Sequence, residues 1–385
     1  MKLIADETLL DAARKLEPVV RDHAARTEHE RRLPQPVVEA LAKAGLFRMF
    51  TPKSLGGLEV DPVTCARVIE EVAGFDSAAG WALQAGNSAD WWCGRLPAVG
   101  PEEIYAGGPD AVIAAAFHPP MQATPEAGGF RVTGRRPLAS NIHDADWLFV
   151  TALVEPGAGE AIGVFVPASA AEVMDTWDSL GMRGTDSHDV ALADVFVPTA
   201  RTFPLVPQFQ PGPRYGGPLY RFPGIGEAAV VICPVPLAIA GAALAELRRL
   251  AQGKTPFGSA TVLRERAVAQ AKLARAEAIW RSARLLFYDT LSVAWERTVT
   301  GEPSTLEEKA DLQLAAAHAV ASSVKAVDLT YSLAGTSAVY ARSPLERHFR
   351  DVQTLRHHGF VCEARYETAG QVYLGVDPEF ALVSF

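Results

Sequence analysis

Leu180-Gly181-Met182-Arg183-Gly184-Thr185-Asp186-Ser187-His188-Asp189-Val190, followed by Asp194-Val195-Phe196-Val197-Pro198, is the stretch on which the fold is decided. Gly181, Gly184, Asp186 and Asp189 make its first half read as a turn. From Val190 to Val197 apolar and polar residues alternate, the period of a half-buried strand. Working backward, Ala161 to Val166 and Trp147 to Val154 are apolar and β-rich, Phe130-Arg131-Val132-Thr133 alternates, and Ala111 to Phe117 is a short apolar run. Five short strands separated by Gly, Pro and Asp turns predict a β-barrel or sandwich of roughly 100 residues, placed at 111–203.

On both sides of this block the period becomes helical. Between Asp6 and Tyr105 apolar residues recur at three and four. Leu9, Leu10, Ala13 and Leu16 form one stripe, and Val37, Val38, Leu41 and Leu46 a second, closed by Gly45. Asp61-Pro62 and Asp76-Ser77 open two further helices, with Pro in the first turn of one and an N-cap on the other. After a Pro/Gly-rich connector (204–223), helical repeats run through Ala260–Thr298, Thr305–Leu333 and Ser343–Tyr373. Helices of this length need one another to cover their apolar stripes, so a four-helix bundle is expected. The expected fold class is α+β and multidomain: an N-terminal helical domain (1–110), a middle β-domain (111–203) and a C-terminal helical bundle (224–385).

The bulk chemistry narrows the partners. The chain has 385 residues, a formal net charge of −9 and no Lys/Arg block, which argues against the basic surface that nucleic-acid phosphates require. Cys65, Cys93, Cys233 and Cys362 are scattered, without C-x-x-C or zinc spacing, so no metal is expected. Met1 to Asp22 mixes charges into an amphipathic pattern, unlike a signal peptide. The apolar stretch Ala228–Leu247 contains Pro234, Pro236 and Glu246 and reads as a buried helix after a turn, not a membrane span. A cytoplasmic enzyme is the expectation.

Three motifs carry a resemblance. Gly45-Leu46-Phe47 with Pro52 and Leu55-Gly56-Gly57, the 180–198 stretch, and Glu346-Arg347-His348-Phe349-Arg350-Asp351 occur in the order found in the acyl-CoA dehydrogenase superfamily. The chain resembles that superfamily over most of its length. The resemblance implies a flavin, FMN or FAD, between the β-domain and the bundle. Ala115-Ala116-Phe117-His118-Pro119 and Gly134–Asn141 fall where the family contacts the isoalloxazine. Cofactor contacts are therefore expected from Ala116, Phe117, His118, Ser140 and Asn141, with Ser140 approaching N5.

The same fold hosts dehydrogenases and oxygenases, so the choice rests on site residues. Counting from Arg350-Asp351, the usual dehydrogenase glutamate falls on Gly359. An alternative base position falls near Ala228, with Glu227 one residue away and turned by about 100°. What stands there instead, Asp351-Val352-Gln353-Thr354-Leu355-Arg356-His357-His358, resembles the helix of two-component flavin monooxygenases: hydroxyphenylacetate and secosteroid-phenol hydroxylases, dibenzothiophene monooxygenase and amino-sugar N-oxygenases. His358 matches their histidine, and His357 substitutes if the count shifts by one. On a continuous helix, Asp351 and His358 would share a face.

The expected reaction is oxygenation of an aromatic, polycyclic or amine substrate by reduced flavin and O2 through a C4a-hydroperoxyflavin. Ser140 would steady the flavin adduct, and His358, with a pKa near neutrality, would move a proton. A separate NAD(P)H:flavin reductase is expected, because no G-x-G-x-x-G follows a strand. A homo-oligomer, a tetramer by resemblance, completes the partners. The alternatives are an acyl-CoA dehydrogenase or flavin oxidase with a relocated base, and a non-catalytic assembly subunit. Trp81, Trp91 and Trp92, near three-turn spacing, read first as core and second as a pocket wall for the substrate. Arg183 reads equally as a phosphate partner or as a partner of Asp186 or Asp189. Arg264, Arg266 and Lys272 read as a solvated face, with a neighbouring subunit's flavin phosphate as the other reading.

Overall fold

A computed structural model describes residues 6–155, 159–208 and 210–385. The first residues of the Met1–Asp22 reading, and residue 209 of the connector, lie outside the described residues.

Six helices come first: α1 (Glu7–Arg14), α2 (Glu17–Glu30), α3 (Gln35–Lys43), α4 (Pro62–Phe75), α5 (Ser77–Cys93) and α6 (Val99–Ile104). Carboxylates start the ones that matter most. Asp61 accepts the Thr64 N–H (2.9 Å), and Asp76 accepts those of Ala78 and Ala79 (2.9 and 3.1 Å), satisfying donors that the first helical turn leaves open. Helix α5 is buried along nearly its whole length, the condition of a central helix with apolar neighbours on every side.

The strands are β1 (Ile113–Glu126), β2 (Gly129–Ala139), β3 (Trp147–Val154), β4 (Ala161–Pro167), β5 (Glu172–Met174), β6 (His188–Pro198) and β7 (Thr202–Pro204). They form one sheet in the order β5-β6-β2-β1-β3-β4-β7, with β1 and β3 parallel and the other pairs antiparallel. Among the described residues there are seven strands, not the five expected. Strands β5 and β7 are three residues each, too short for alternation to register in a sequence. One side of the sheet encloses Val132, Leu148, Val150, Val164, Val190 and Leu192. Phe149, Phe165 and Phe203 belong instead to the helical core, where Trp92 of α5 stacks on Phe149 (5.8 Å) and Phe203 (6.2 Å).

The remaining helices are α7 (Gly224–Ile232), α8 (Pro234–Ala251), α9 (Ala267–Thr300), α10 (Leu306–Ala334), α11 (Pro344–Leu355) and α12 (Arg365–Tyr373). The stretch Gly224–Ala251 is long and apolar enough to cross a bilayer, but 83% of its apolar window is buried inside the protein. Pro234 and Pro236 sit at the start of α8, where their missing N–H groups cost nothing. Thr305 and Glu308 close a reciprocal capping box on α10.

One expectation fails here. The stretch Ser343–Tyr373 is not a continuous helix: α11 ends at Leu355, and α12 begins at Arg365. His357, His358 and Gly359 are weak helix formers in succession, and the Phe360 N–H turns back to His358 Nδ1 at 3.4 Å.

The 180–190 stretch joins the three parts. A Cβ on Gly181 would lie 2.3 Å from the Arg350 carbonyl of α11, and one on Gly184 would lie 2.3 Å from Thr27 Cγ2 of α2. No larger side chain fits either approach.

Candidate active site

Register places the first site residue. The pairing of β2 with β6 shifts between Arg136 and Ala139, after which Ala139 faces His188. Leu138 (φ 65°) and Asn141 (φ 62°) adopt left-handed backbone around Ser140. The Ser140 N–H closes a tight turn on Leu138 O (3.1 Å), and the Asn141 N–H donates to Thr185 O (2.9 Å).

Ser140 then enters a hydroxyl relay. Trp81 Nε1–H donates to Ser140 Oγ (3.0 Å), Ser140 Oγ meets Ser187 Oγ (2.8 Å), and Ser187 Oγ meets Thr185 Oγ1 (2.7 Å). Thr185 donates its proton to Met182 O (2.8 Å). That last bond sets the direction of the others: Ser187 donates to Thr185, and Ser140 donates to Ser187. Ser140 Oγ is left with a lone pair and no proton of its own to offer.

The relay is held from outside. Asp351, fully buried, accepts the Met182 N–H (2.6 Å) and the Ser77 hydroxyl (2.5 Å). Arg347 Nε lies 3.5 Å from Asp351, while its Nη2 pairs with Asp76 at 2.8 Å. One carboxylate thereby ties α11 to the 182–187 turn and to the start of α5. Asp186 secures the other side, accepting the His143 backbone N–H (2.8 Å) and facing its Nδ1 (2.7 Å).

His358 sits in the turn beyond α11. Its ring meets Trp81 edge-on at 5.6 Å and Phe360 at 5.4 Å. Asp351 and His358 therefore do not share a helical face, as expected from continuous α11; the helix stops between them. Desolvation pushes the His358 pKa down to about 4, not the near-neutral value expected. The imidazole is neutral at ordinary pH. With Nδ1 accepting from Phe360, the proton is assigned to Nε2, which makes Nε2–H a donor. His357 is exposed, and it is the His358 ring that meets Trp81.

The other expected residues divide. Ala116 is buried in β1 just before a register shift, Phe117 touches Trp92 (5.8 Å) and Phe360 (5.3 Å), and His118 is exposed. The Asn141 side chain is buried, and its Nδ2 has no partner. Arg183 pairs with neither Asp186 nor Asp189. Its nitrogens lie 3.9 Å from Glu28 and Asp178, because Asp189 is taken by Arg135 (2.7 Å) and Asp186 by His143. Trp91 packs in the core. Ten residues after Trp81, it lies about 15 Å further along α5, with its ring against Trp92 and Arg95. Trp92, eleven residues on, returns to the Trp81 face.

Glu227 is buried in α7, its carboxyl pushed well above the usual range by burial and by Asp90. Asp90 lies nine residues beyond Trp81 on α5, about 13 Å along the axis. Sequence reading missed Ser187, Thr185, Ser77 and Phe360. The only signal for the first two was the run of hydroxyls in Thr185-Asp186-Ser187.

Among the described residues, His143, Asp186 and His188 have metal-ligand spacing. His188 Nδ1, however, accepts the N–H groups of Thr176 (3.1 Å) and Trp177 (3.2 Å). The proton then sits on Nε2, facing Asp186 at 3.4 Å, and that nitrogen is a donor, not a ligand.

Residues 5–96 match the model for the acyl-CoA dehydrogenase N-terminal domain, and residues 230–363 that for the acyl-CoA dehydrogenase C-terminal domain. The indole-3-acetate monooxygenase of Pseudomonas putida is 33% identical over 378 residues, covering 97% of this chain and 94% of that protein. The chain belongs to the acyl-CoA dehydrogenase superfamily. Within the superfamily it groups with the flavin-dependent monooxygenases, a class of oxidoreductases. The indole-3-acetate monooxygenase of Acinetobacter baumannii is 31% identical, covering 93% of this chain and 92% of that one. XiaF from Streptomyces sp., solved with FADH2 and glycerol, superimposes with a TM-score of 0.91 at 26% identity, covering 97% and 96%.

Proposed function

We propose that this chain is the oxygenase component of a two-component flavin monooxygenase. It takes reduced FMN or FAD from a separate NAD(P)H-dependent reductase and, with O2, hydroxylates an aromatic substrate. The observation that carries the reading is the Trp81–Ser140–Ser187 relay beside a neutral His358; the side-chain hydrogen-bond and ring partners of Ser140 and His358 among the described residues are Ser187, Trp81 and Phe360 and not carboxylates. Removing an α-proton from a thioester needs such a base, and Glu227 is buried in α7 with its carboxyl pushed well above the usual range by burial.

The residues fit a reduced flavin. Ser140 Oγ offers an acceptor, the partner required by the N–H that a reduced isoalloxazine carries at N5. Asn141 Nδ2 is an orphaned buried donor suited to a ring carbonyl. Ala116, Phe117 and His118 are proposed to border the ring, and Arg183, partly exposed, remains available to a phosphate. The flavin, when bound, supplies the redox chemistry with O2. His358 would supply an Nε2–H donor beside Trp81, and Trp81 with Phe117 would exclude water.

Substrate class is read from the relatives: indole-3-acetate for two of them, and resorcinol for the oxygenase component of Rhizobium sp.. A homo-oligomer, proposed as a tetramer, fits the exposed apolar stripe of α9, where Val268, Leu285, Val293 and Val299 are each more than half exposed.

The test supplies purified chain with chemically reduced FMN or FAD, air and indole-3-acetate or resorcinol. Oxygen uptake with a hydroxylated product is expected. If an acyl-CoA bleaches bound oxidised flavin and no oxygenated product forms, the proposal fails.

A further inference from the structure

Around His358 the aromatic rings are left incompletely covered. Phe117, His358, Phe360 and Phe380 are each only partly buried. They are continuous: His358 to Phe360 at 5.4 Å, Phe360 to Phe117 at 5.3 Å, and Phe360 to Phe380 at 6.1 Å. Accessible aromatic faces beside a reaction site are suited to another aromatic ring.

Phe380 differs from the rest in where it comes from. It lies in the segment Asp377–Phe385, which has no helix or strand apart from one tight turn at Ala381–Ser384. That segment is held by separate tethers on the bundle. The Glu379 N–H donates to Gln371 Oε1 of α12 (3.1 Å), the Arg365 guanidinium of α12 covers the Phe380 ring at 4.0 Å, and Lys309 Nζ of α10 donates to Ser384 O (2.7 Å). Beyond these, Phe385 is buried against Trp92 at 6.1 Å. Tethers at both ends fix the segment, and the ring between them meets Phe360 on one side and borders a groove along α12 with Thr368, Gln371 and Glu379 on the other.

We infer that Phe380, carried on the tethered 377–385 segment, is a specificity-determining residue that sets how many fused rings the substrate can have. The inference rests on the monooxygenase reading and adds a named wall to it. A guanidinium stacked on the outer side of Phe380 stiffens the ring, so the wall acts as a stop and not as a cushion. Replacing the ring with a methyl group opens space next to Phe360; enlarging it to an indole removes space.

The experiment measures dissociation constants of resorcinol, indole-3-acetate and carbazole (one, two and three rings) for the anaerobic complex of chain and reduced FMN. Wild-type chain, Phe380→Ala and Phe380→Trp are compared. The ratio of carbazole to indole-3-acetate constants should fall at least fivefold in Phe380→Ala and rise at least fivefold in Phe380→Trp. General loosening would move both constants the same way and leave the ratio unchanged. Phe380→Leu, which keeps most of the packing, serves if the Ala variant does not fold, and should lower the ratio by a smaller factor. A ratio constant within twofold across the variants overturns the inference, as does a wild-type chain that binds none of the probes. Oxygen uptake by the wild-type chain is measured separately, so failure of the monooxygenase reading is distinguishable from failure of the wall.

Discussion

Replacing Asp351 gives the sharpest test of how the site is held. Its carboxylate accepts from Met182 N–H and Ser77 hydroxyl and lies against Arg347, at 1% exposure. Asp351→Ala leaves two buried donors without partners, at about 1–3 kcal/mol each. It also weakens the compensation of Arg347, although Asp76 at 2.8 Å remains, so the full 3–5 kcal/mol of a broken buried pair is not incurred. The expected loss is about 3–5 kcal/mol, and the melting temperature should fall by roughly 6–10 °C at about 2 °C per kcal/mol for a chain of this size. Asp351→Asn keeps the shape: its carbonyl still accepts from Met182, and its amide can donate to Ser77. That variant should lose about 1–2 kcal/mol. Scanning calorimetry separates the two, and flavin titration should show reduced-FMN affinity down about tenfold in the Ala variant (a 1.4 kcal/mol effect), because the Met182 end of the relay is released. Equal melting temperatures for the two variants, or an Ala variant within 1 °C of wild type, would refute the clamp.

Three further outcomes follow from the same geometry. Trp81→Phe keeps the ring but removes the donor to Ser140, and reduced-flavin affinity should fall about three- to tenfold for a loss near 1 kcal/mol; a double variant with Ser140→Ala whose effects simply add would break the relay. His358→Gln retains an N–H donor and should keep single-turnover hydroxylation within about tenfold of wild type, whereas His358→Phe should lose about a hundredfold, the usual scale for one positioned donor; equal rates in both would remove His358 from the chemistry. Burial pushes the Asp90 carboxyl up to about 8 and Glu227 well above its usual range, so the folded chain keeps protons that the unfolded chain has released near pH 4. The unfolded state then binds fewer protons, and stability falls as pH rises, by about 1.4 kcal/mol per pH unit for each such proton. His348 and His358, pushed down to about 4, oppose this only below the unfolded histidine value near pH 6.5. The decline should emerge between pH 6.5 and 8 in urea midpoints, and Asp90→Asn should flatten it; an unchanged slope in that variant would be decisive against the assignment.

How much of this was legible in the sequence depends on the range of the interaction. The caps at Asp61 and Asp76, the Pro-opened helices and the longer strands are local, and the residues that make them lie within a few positions of one another. The turn at 181–184 was legible as glycines, but not the reason for them, since the atoms they avoid belong to Arg350 and Thr27. Ser140 was readable by motif position. Its relay was not, because Ser187 reaches it only after a register shift between β2 and β6 that the alternation pattern does not carry. The tryptophans make the same point by one residue of spacing: eleven positions return Trp92 to the Trp81 face, while ten leave Trp91 turned by about 80° from it.

The misplaced end of α11 links the two unusual features of the site. Had the helix run on through Gly359, Asp351 and His358 would lie two turns apart on one face, and the imidazole would face the buried side where Asp351 holds Met182 and Ser77. Stopping at Leu355 separates the two tasks. Asp351 stays inside as a clamp on the 182–187 turn, while the chain doubles back so that the His358 ring rests on Trp81 and Phe360. Gly359 is part of what permits this. By count from Arg350-Asp351 it falls where the resemblance puts the dehydrogenase glutamate, and a Cβ there would meet nothing within 4 Å, so space for a side chain exists. A glutamate there would also be a better helix former than glycine by about 1 kcal/mol, drawing α11 onward and carrying His358 off Trp81. Glycine at 359 thus both lacks a carboxylate and permits the helix stop that places the histidine, which predicts that Gly359→Glu would disturb the His358–Trp81 contact before it conferred any dehydrogenase activity.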